Sequence, residues 1–354
     1  MKKSFFEFLA LADVEKVHSQ IIAWLMSKHC EALNEPMKSQ IINNILGHEL
    51  NDTIITSTAE INGADIVIEC LKTRIVIENK IKSSQHSNQL SRYVEEFNKD
   101  STKINYFIFM TLIPEKPQNK NWTNYSYKQF AECLNNFELS DKSNFDQMAL
   151  QEYLKSIQSI TSVAYEFILN PSLFPNVFNE GKLSKQAKNH KKYSNYTQKF
   201  ISENQLETIL QKSFYIKVLD EISTPELLYE VGDTHGTAFI NAFFDEYIVL
   251  DGVCFKTGIQ FQGGTFKFAI TTCSDYEKSK KEWITPFVKA FKYFKETKVN
   301  GYTKLNLPDT KAWISVSKRT SSQFYEMNFT EYVEIFKHEL ENARDMTAKI
   351  KALI

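Results

Sequence analysis

The chain has 354 residues, with 42 Lys and Arg against 43 Asp and Glu, a net charge of −1, 42% hydrophobic residues and 13% aromatic ones. That length exceeds the size at which single cores stop growing, so two domains are expected, and a near-neutral balance weighs against gripping a polyanion with the whole surface. No apolar run approaches the roughly 20 residues needed to span a bilayer, and Glu7 soon interrupts the basic start, so a cytoplasmic protein with no membrane partner is expected.

In chain order, apolar spacing predicts a helix from about Phe5 to Lys28 and another over Met37–Leu46. Three strands follow near Ile54–Ile61, Asp65–Leu71 and Ile75–Ile81. A helix capped by Ser83-Ser84 is expected to run to about Asn98, and the apolar stretch Ile104–Leu112 reads as a buried strand reached by a crossover. Pro114 and Pro117 mark a loop, and helices near Tyr127–Leu134 and Asn144–Ile168 complete an αβββαβα layout, a mixed α/β sheet flanked by helices. Asn170-Pro171-Ser172-Leu173-Phe174-Pro175 breaks the pattern. A first domain over 1–170, a basic linker or helical segment over 171–199 and an α+β domain over 200–354 are therefore expected.

The basic segment carries Lys182, Lys185, Lys188, Lys191 and Lys192, which read either as a phosphate-gripping arm or as a solvated linker. Beyond it, strand-like runs at Thr237–Phe244, Tyr247–Val253, Lys256–Phe261 and Thr265–Thr272 are separated by Asp245-Glu246, Asp251-Gly252 and Gly263-Gly264, the turn signals of an antiparallel meander. A helix over Tyr276–Lys295, a strand over Ala312–Ser317 and a helix over Phe329–Leu353 follow. Tyr247, Phe261 and Phe266 read as core residues or as rings to stack on unpaired bases. Asp233, His235 and Asp251 fit turn chemistry better than catalysis. Target recognition, or association including a homodimer through this domain, is the role expected of it.

Cys30, Cys70, Cys133, Cys254 and Cys273 are scattered singly and odd in number, which argues against a zinc site or a disulfide framework. Cys70 and Cys254 read as buried fillers in apolar strands.

The most informative residues are Asp65 and Glu78-Asn79-Lys80. Side chains alternate along a strand, so Glu78 and Lys80 share a face while Ile77, Asn79 and Ile81 share the other. An ionised group among Ile and Val is costly unless paired or bound to a metal. Mg²⁺ favours one or two carboxylates and leaves positions open for phosphate oxygens, so Asp65 and Glu78 suit metal ligation and Lys80 suits orienting water or balancing charge on phosphate. A buried structural ion pair is the competing explanation.

The flanking residues resemble the PD-(D/E)XK nuclease superfamily, in the prokaryotic branch whose core reads as an acid, then Glu-Asn-Lys, then Gln-Leu-x-x-Tyr. Here these are Asp65, Glu78-Asn79-Lys80, Gln89-Leu90 and Tyr93, preceded by Glu15-x-x-His18-Ser19 and Trp24-Leu25 and followed by Trp122 and Tyr125-Ser126-Tyr127. The resemblance covers roughly residues 5–170, and Ala64 stands where the superfamily name has Pro. It implies a restriction-endonuclease-like fold and Mg²⁺-dependent hydrolysis of phosphodiester bonds, with Mn²⁺ as a substitute and DNA as the partner, in defence against foreign DNA or in repair. It further implies Asp65, Glu78, the Asn79 carbonyl and Glu15 as metal ligands, Lys80 as the catalytic lysine, and Gln89, Tyr93 and His18 as neighbours of the reaction. Glu15, His18 and Ser19 share one helix face, which reads either as closing over the metal or as solvated. A non-catalytic nucleic-acid- or protein-binding factor on the same fold is the alternative function.

Overall fold

A computed structural model describes residues 3–83, 85, 88–139, 141, 143–170, 196–234, 236–273, 280–307, 312–320 and 327–354. The described residues divide into two compact units, one of 3–167 with 196–209 and one dominated by 210–354. The basic segment with Lys182, Lys185, Lys188, Lys191 and Lys192 lies outside the described residues, as does His235.

The first unit carries a five-stranded mixed sheet of β1 (Ile54–Ile61), β2 (Ala64–Cys70), β3 (Thr73–Lys80), β4 (Ile104–Thr111) and β5 (Trp122–Ser126), in that spatial order. β1, β2 and β3 form an antiparallel meander, whereas β3, β4 and β5 run parallel. The parallel step from β3 to β4 needs a crossover, which α4 (Gln89–Phe97) supplies. Ile75, Val76 and Ile77 of β3 are fully buried, as expected of a strand covered on both faces. On one side, Leu90, Tyr93 and Phe97 of α4 form a cluster with Ala64, Val67, Val76, Phe107, Phe109 and Trp122. On the other, α2 (Glu15–Leu25) packs against β1, β2 and β3.

Several expectations change in detail. The single opening helix is two, α1 (Phe5–Phe8) and α2. A Ser4–Glu7 capping box starts α1, and Ala10, in a left-handed conformation at φ 57°, prevents its continuation. α3 spans Glu35–Leu46 and is capped by the Asn34 side chain. α4 begins at Gln89 rather than after Ser83, whose hydroxyl is committed to Glu15 instead; Ser84 lies outside the described residues. Strand β5 was not expected, because only Trp122 and Tyr125 of its five residues are buried, too few to set a period. α5 (Tyr127–Asn135) and α6 (Phe145–Leu169) close the layout.

The second unit begins within the helix Glu207–Ile222 and continues as an antiparallel sheet of β6 (Leu227–Thr234), β7 (Thr237–Phe244), β8 (Ile248–Leu250), β9 (Val253–Gln262), β10 (Thr265–Thr272), β11 (Lys304–Asn306) and β12 (Trp313–Arg319). Its path is β11-β12-β10-β9-β7-β6, with β8 beside β9. Asp251 and Gly252, both at positive φ, make the β8–β9 turn, so Asp251 is turn chemistry. Asp233 pairs with Lys212 at 2.6 Å. β6 and β11 escaped the sequence pattern as edge strands, one interrupted by Gly232-Asp233 and the other three residues long. Where a helix over Tyr276–Lys295 was expected, the described part is a 3₁₀ segment, Lys281–Phe287, containing Pro286 and followed by the helix Val288–Glu296. The final helix spans Phe329–Leu353 as expected.

Phe261 and Phe266 belong to the core, with ring centroids 4.5 Å apart and both against Phe336. They are not free to stack on bases; Tyr247 stays partly exposed, its hydroxyl donating to Asp245. Cys254 and Cys273 form a disulfide, contrary to the expectation that no cysteines pair. The β9–β10 register brings them opposite one another, with Cα atoms 5.4 Å apart, a proximity that a spacing of 19 residues does not reveal. Among the described residues no helix is long and apolar enough to cross a membrane.

Candidate active site

The site forms where β2 and β3 part company. Their ladder ends at the pair Ile66–Ile77, so the next β3 amides need other acceptors. The Asn79 N–H donates to Asp65 Oδ2 at 2.7 Å, which draws the carboxylate at the start of β2 onto the end of β3. One residue either side, Glu78 and Lys80 point together as the alternation predicts, with Lys80 Nζ 2.6 Å from Glu78 Oε1.

Helix α4 completes this face. Gln89 Nε2 donates to Glu78 Oε1 at 2.6 Å and to the Tyr93 hydroxyl at 2.9 Å, and that hydroxyl donates to the Gly63 carbonyl at 2.5 Å. Gly63 is needed for this approach. It sits at φ 82°, and a Cβ there would lie 3.3 Å from the Tyr93 ring. Tyr93 therefore serves twice, its ring in the core and its hydroxyl as the anchor for Gln89.

Glu78 is fully buried, and its Oε2 atom has no hydrogen-bond partner. Burial and the neighbouring charge of Asp65 push its carboxyl up to about 7, against the pull of Lys80. Burial raises Asp65 as well, opposed by the Asn79 amide and by Lys80. For Lys80 burial acts downward, but Glu78, Asp65 and Glu15 outweigh it and hold the ammonium above its ordinary range. Three acids therefore surround one amine in a poorly solvated place. An orphaned, buried carboxylate oxygen beside a second carboxylate is the donor chemistry of a hard divalent cation. Among the described residues no group of three or more His, Cys, Asp and Glu side chains is placed to hold a metal ion.

Glu15, expected as a further metal ligand, is placed differently. Its Oε1 accepts the backbone N–H groups of Ile81, Lys82 and Ser83 at 2.8, 2.9 and 2.9 Å, and the Ser83 hydroxyl bridges both carboxylate oxygens. Burial would raise this carboxyl, yet the bonds from Ser83, Lys82 and Ile81 hold it below its ordinary value. Glu15 thus fixes the chain leaving β3 immediately after Lys80.

The expectation that His18 and Ser19 lie on a solvated or metal-covering face is corrected, because both are buried against the sheet. The Ala12 carbonyl only accepts, so His18 Nε2 donates to it at 2.8 Å, and the neutral ring's Nδ1 accepts from the Tyr153 hydroxyl at 3.0 Å. Burial drives the imidazole down to about 4. Both nitrogens are occupied, and the ring packs edge-on to Tyr127, so His18 is a core residue. The Asn79 side chain points to this opposite face, where Nδ2 donates to the Glu15 carbonyl and to Ser19 Oγ, both at 3.0 Å, and Oδ1 accepts from the Tyr127 hydroxyl at 2.5 Å. Sequence reasoning missed this clamp of Asn79 by α2 and α5. Strand alternation gave the face but not the partners.

A five-stranded mixed sheet with helices on both faces, and two acids and a lysine at the end of its central strands, is consistent with a restriction-endonuclease-like fold. Residues 3–166 match the model of the PD-(D/E)XK nuclease superfamily, and this part of the chain belongs to it. Members are generally hydrolytic nucleases that use divalent metal ions. No curated protein and no solved structure matches the chain.

Proposed function

We propose that the protein is a Mg²⁺-dependent nuclease that hydrolyses phosphodiester bonds in DNA, with Mn²⁺ able to substitute. The observation that carries this reading is the unpartnered Glu78 Oε2, buried beside Asp65 and one residue from the Asn79 carbonyl. Asp65, Glu78 and that carbonyl would hold the cation. When bound, the cation supplies charge stabilisation at the phosphate and acidifies the attacking water.

The chain's own groups do the rest. Lys80 Nζ, kept protonated by its acidic neighbours, neutralises negative charge growing on the phosphate oxygens. Gln89 holds Glu78 Oε1 and leaves Oε2, which would be offered to the cation, without a partner, and Tyr93 holds Gln89. Glu15 fixes residues 81–83 and with them the direction of Lys80. The surroundings that make Glu78 reluctant to ionise are the ones a divalent cation relieves. A role in defence against foreign DNA or in repair is the setting consistent with such chemistry.

The test is incubation of the full chain with single- and double-stranded DNA and RNA, with Mg²⁺, Mn²⁺ or chelator, beside folded Asp65→Ala and Lys80→Ala variants. Metal-dependent cut products that vanish in both variants are expected. Binding without cut product under every condition would favour the non-catalytic factor.

A further inference from the structure

Among the described residues, helices pack on one face only of the second unit's sheet. Phe268 and Phe255 point to the side where the helix Val288–Glu296 and the segment before it pack, and Phe261 and Phe266 meet the final helix on that same side. Among the described residues no helix covers the opposite face, which holds a groove of about 850 Å³. Its residues are not those of an ordinary solvated sheet. Strand register places Glu230, Asn241, Gln260 and Lys267 directly across from one another on β6, β7, β9 and β10. They bond in one direction: Lys267 Nζ donates to Gln260 Oε1 at 2.7 Å, Gln260 Nε2 to Asn241 Oδ1 at 2.9 Å, and Asn241 Nδ2 to Glu230 Oε2 at 2.8 Å.

Three features of this row point to a ligand. Each amide is held in a fixed orientation and still has an N–H and a lone pair to offer, at the strand spacing of about 4.8 Å. Lys267 is a poorly solvated ammonium whose hydrogen bonds go to the amide oxygens of Gln260 and Gln262, with no carboxylate paired to it among the described residues, and burial lowers its pKa. Half-buried aromatic rings border the row. Phe239 lies over Gly232, where a Cβ would come within 2.7 Å of the ring, and Trp313 stands at the other end against Phe243, on which Lys256 also rests. Oriented amides read the edges of bases, aromatic rings stack on base faces, and an ammonium lacking an acidic partner complements phosphate.

We infer that this open sheet face of the second unit binds single-stranded nucleic acid, with Gln260 and Asn241 contacting base edges and Lys267 a phosphate. The inference deepens the nuclease reading, on which its choice of ligand rests, by assigning the substrate as unpaired strands. A duplex hides the base edges that the amide row would meet.

The test measures fluorescence anisotropy of labelled single-stranded DNA, single-stranded RNA and duplex DNA with the full chain in chelator, where cutting cannot interfere. The parent should prefer single strands. Lys267→Met and Gln260→Ala should each weaken that binding about tenfold, while Lys337→Ala on the exposed final helix leaves it unchanged. Circular dichroism checks folding, and Lys267→Gln, which keeps a polar group in the row, replaces any variant that fails it. The DNA and RNA arms separate the two sources of strand. Parental affinity in the folded Lys267 and Gln260 variants, or equal affinity for duplex, would overturn the inference even if metal-dependent cutting is observed. Conversely, strand binding that depends on Lys267 in a chain that never cuts would sustain it and sink the nuclease reading instead.

Discussion

Replacing Glu78 by Gln separates a metal site from a structural ion pair, because the two give opposite signs. In the metal-free protein the Glu78 carboxyl stands at about 7 rather than its ordinary 4.5. The folded chain therefore holds a proton there that the unfolded chain releases, so this group costs stability as pH rises from 4.5 towards 7 and by a constant amount above. That gap corresponds to about 3 kcal/mol. Gln has the same shape, can still face Lys80, and leaves Lys80 balanced against Asp65 and Glu15 instead of three acids. Metal-free Glu78→Gln at pH 8 should be more stable by about 1 to 3 kcal/mol, which for a chain of this kind is several degrees in Tm. Thermal unfolding in chelator and then in Mg²⁺ is the assay. The parent should gain about 3 kcal/mol at a hundredfold excess of Mg²⁺ over its Kd, and the variant should gain almost nothing and cut nothing. Were Glu78 there only to pair Lys80, the substitution would destabilise by about 3 kcal/mol or more with or without Mg²⁺, and the metal-site reasoning would fail.

Four other outcomes are expected. Lys80→Ala should lower the cutting rate of the folded protein by about 10² to 10³, as for loss of one preorganised charge-stabilising donor; an unchanged rate refutes its assignment. Glu15→Ala, which strips the acceptor from three backbone N–H groups, should cost about 3 kcal/mol in chelator, whereas a residue serving only as a metal ligand would leave metal-free stability intact and weaken Mg²⁺ binding. His18 stays neutral when folded because burial lowers it from 6.5 to about 4, so its contribution is complete above 6.5 and is lost as pH falls towards 4, by at most about 3 kcal/mol. The urea midpoint at pH 7.5 minus that at pH 5, taken with its sign, should be lower in His18→Gln than in the parent, and equal values would refute the assignment; the comparison with the parent cancels the opposite trend of Glu78. Finally, thiol titration of the denatured chain should count three free cysteines before reduction and five after, with reduction costing the second unit about 3 kcal/mol for a loop of this length.

That disulfide bears on where the protein works. Disulfides persist in oxidising surroundings, which conflicts with the expectation of a cytoplasmic setting. The thiol count in freshly lysed cells decides between them.

Much of the first unit is legible in the chain because its signals are local. Period-two alternation alone puts Glu78 and Lys80 on one face of β3 and Asn79 on the other, and the structure has them so. The apolar runs of β2, β3 and β4 mark the buried middle of the sheet, and the polar breaks between them mark its turns. The helix Phe329–Leu353 is read to the residue, because an Asn328 capping box and a continuous apolar stripe announce it. Edge strands β5, β6 and β11 are missed because strands this short or this exposed are held by their neighbours, not by their own pattern.

The sequence by itself singled out a set of candidate groups: two acids and a lysine at strand ends, with Gln89 and Tyr93 one helical turn apart. Their separate tasks emerged only from the tertiary structure. Glu15 and His18 sit on the same helix and look equally catalytic, yet one carboxylate is taken up by the amides of residues 81–83 and the other ring by Ala12 and Tyr153. Cys254 met Cys273, and Gln260 met Lys267, through strand register alone. A side chain's task depends on which distant groups burial and hydrogen bonding bring within about 3 Å, and no spacing along the chain encodes that.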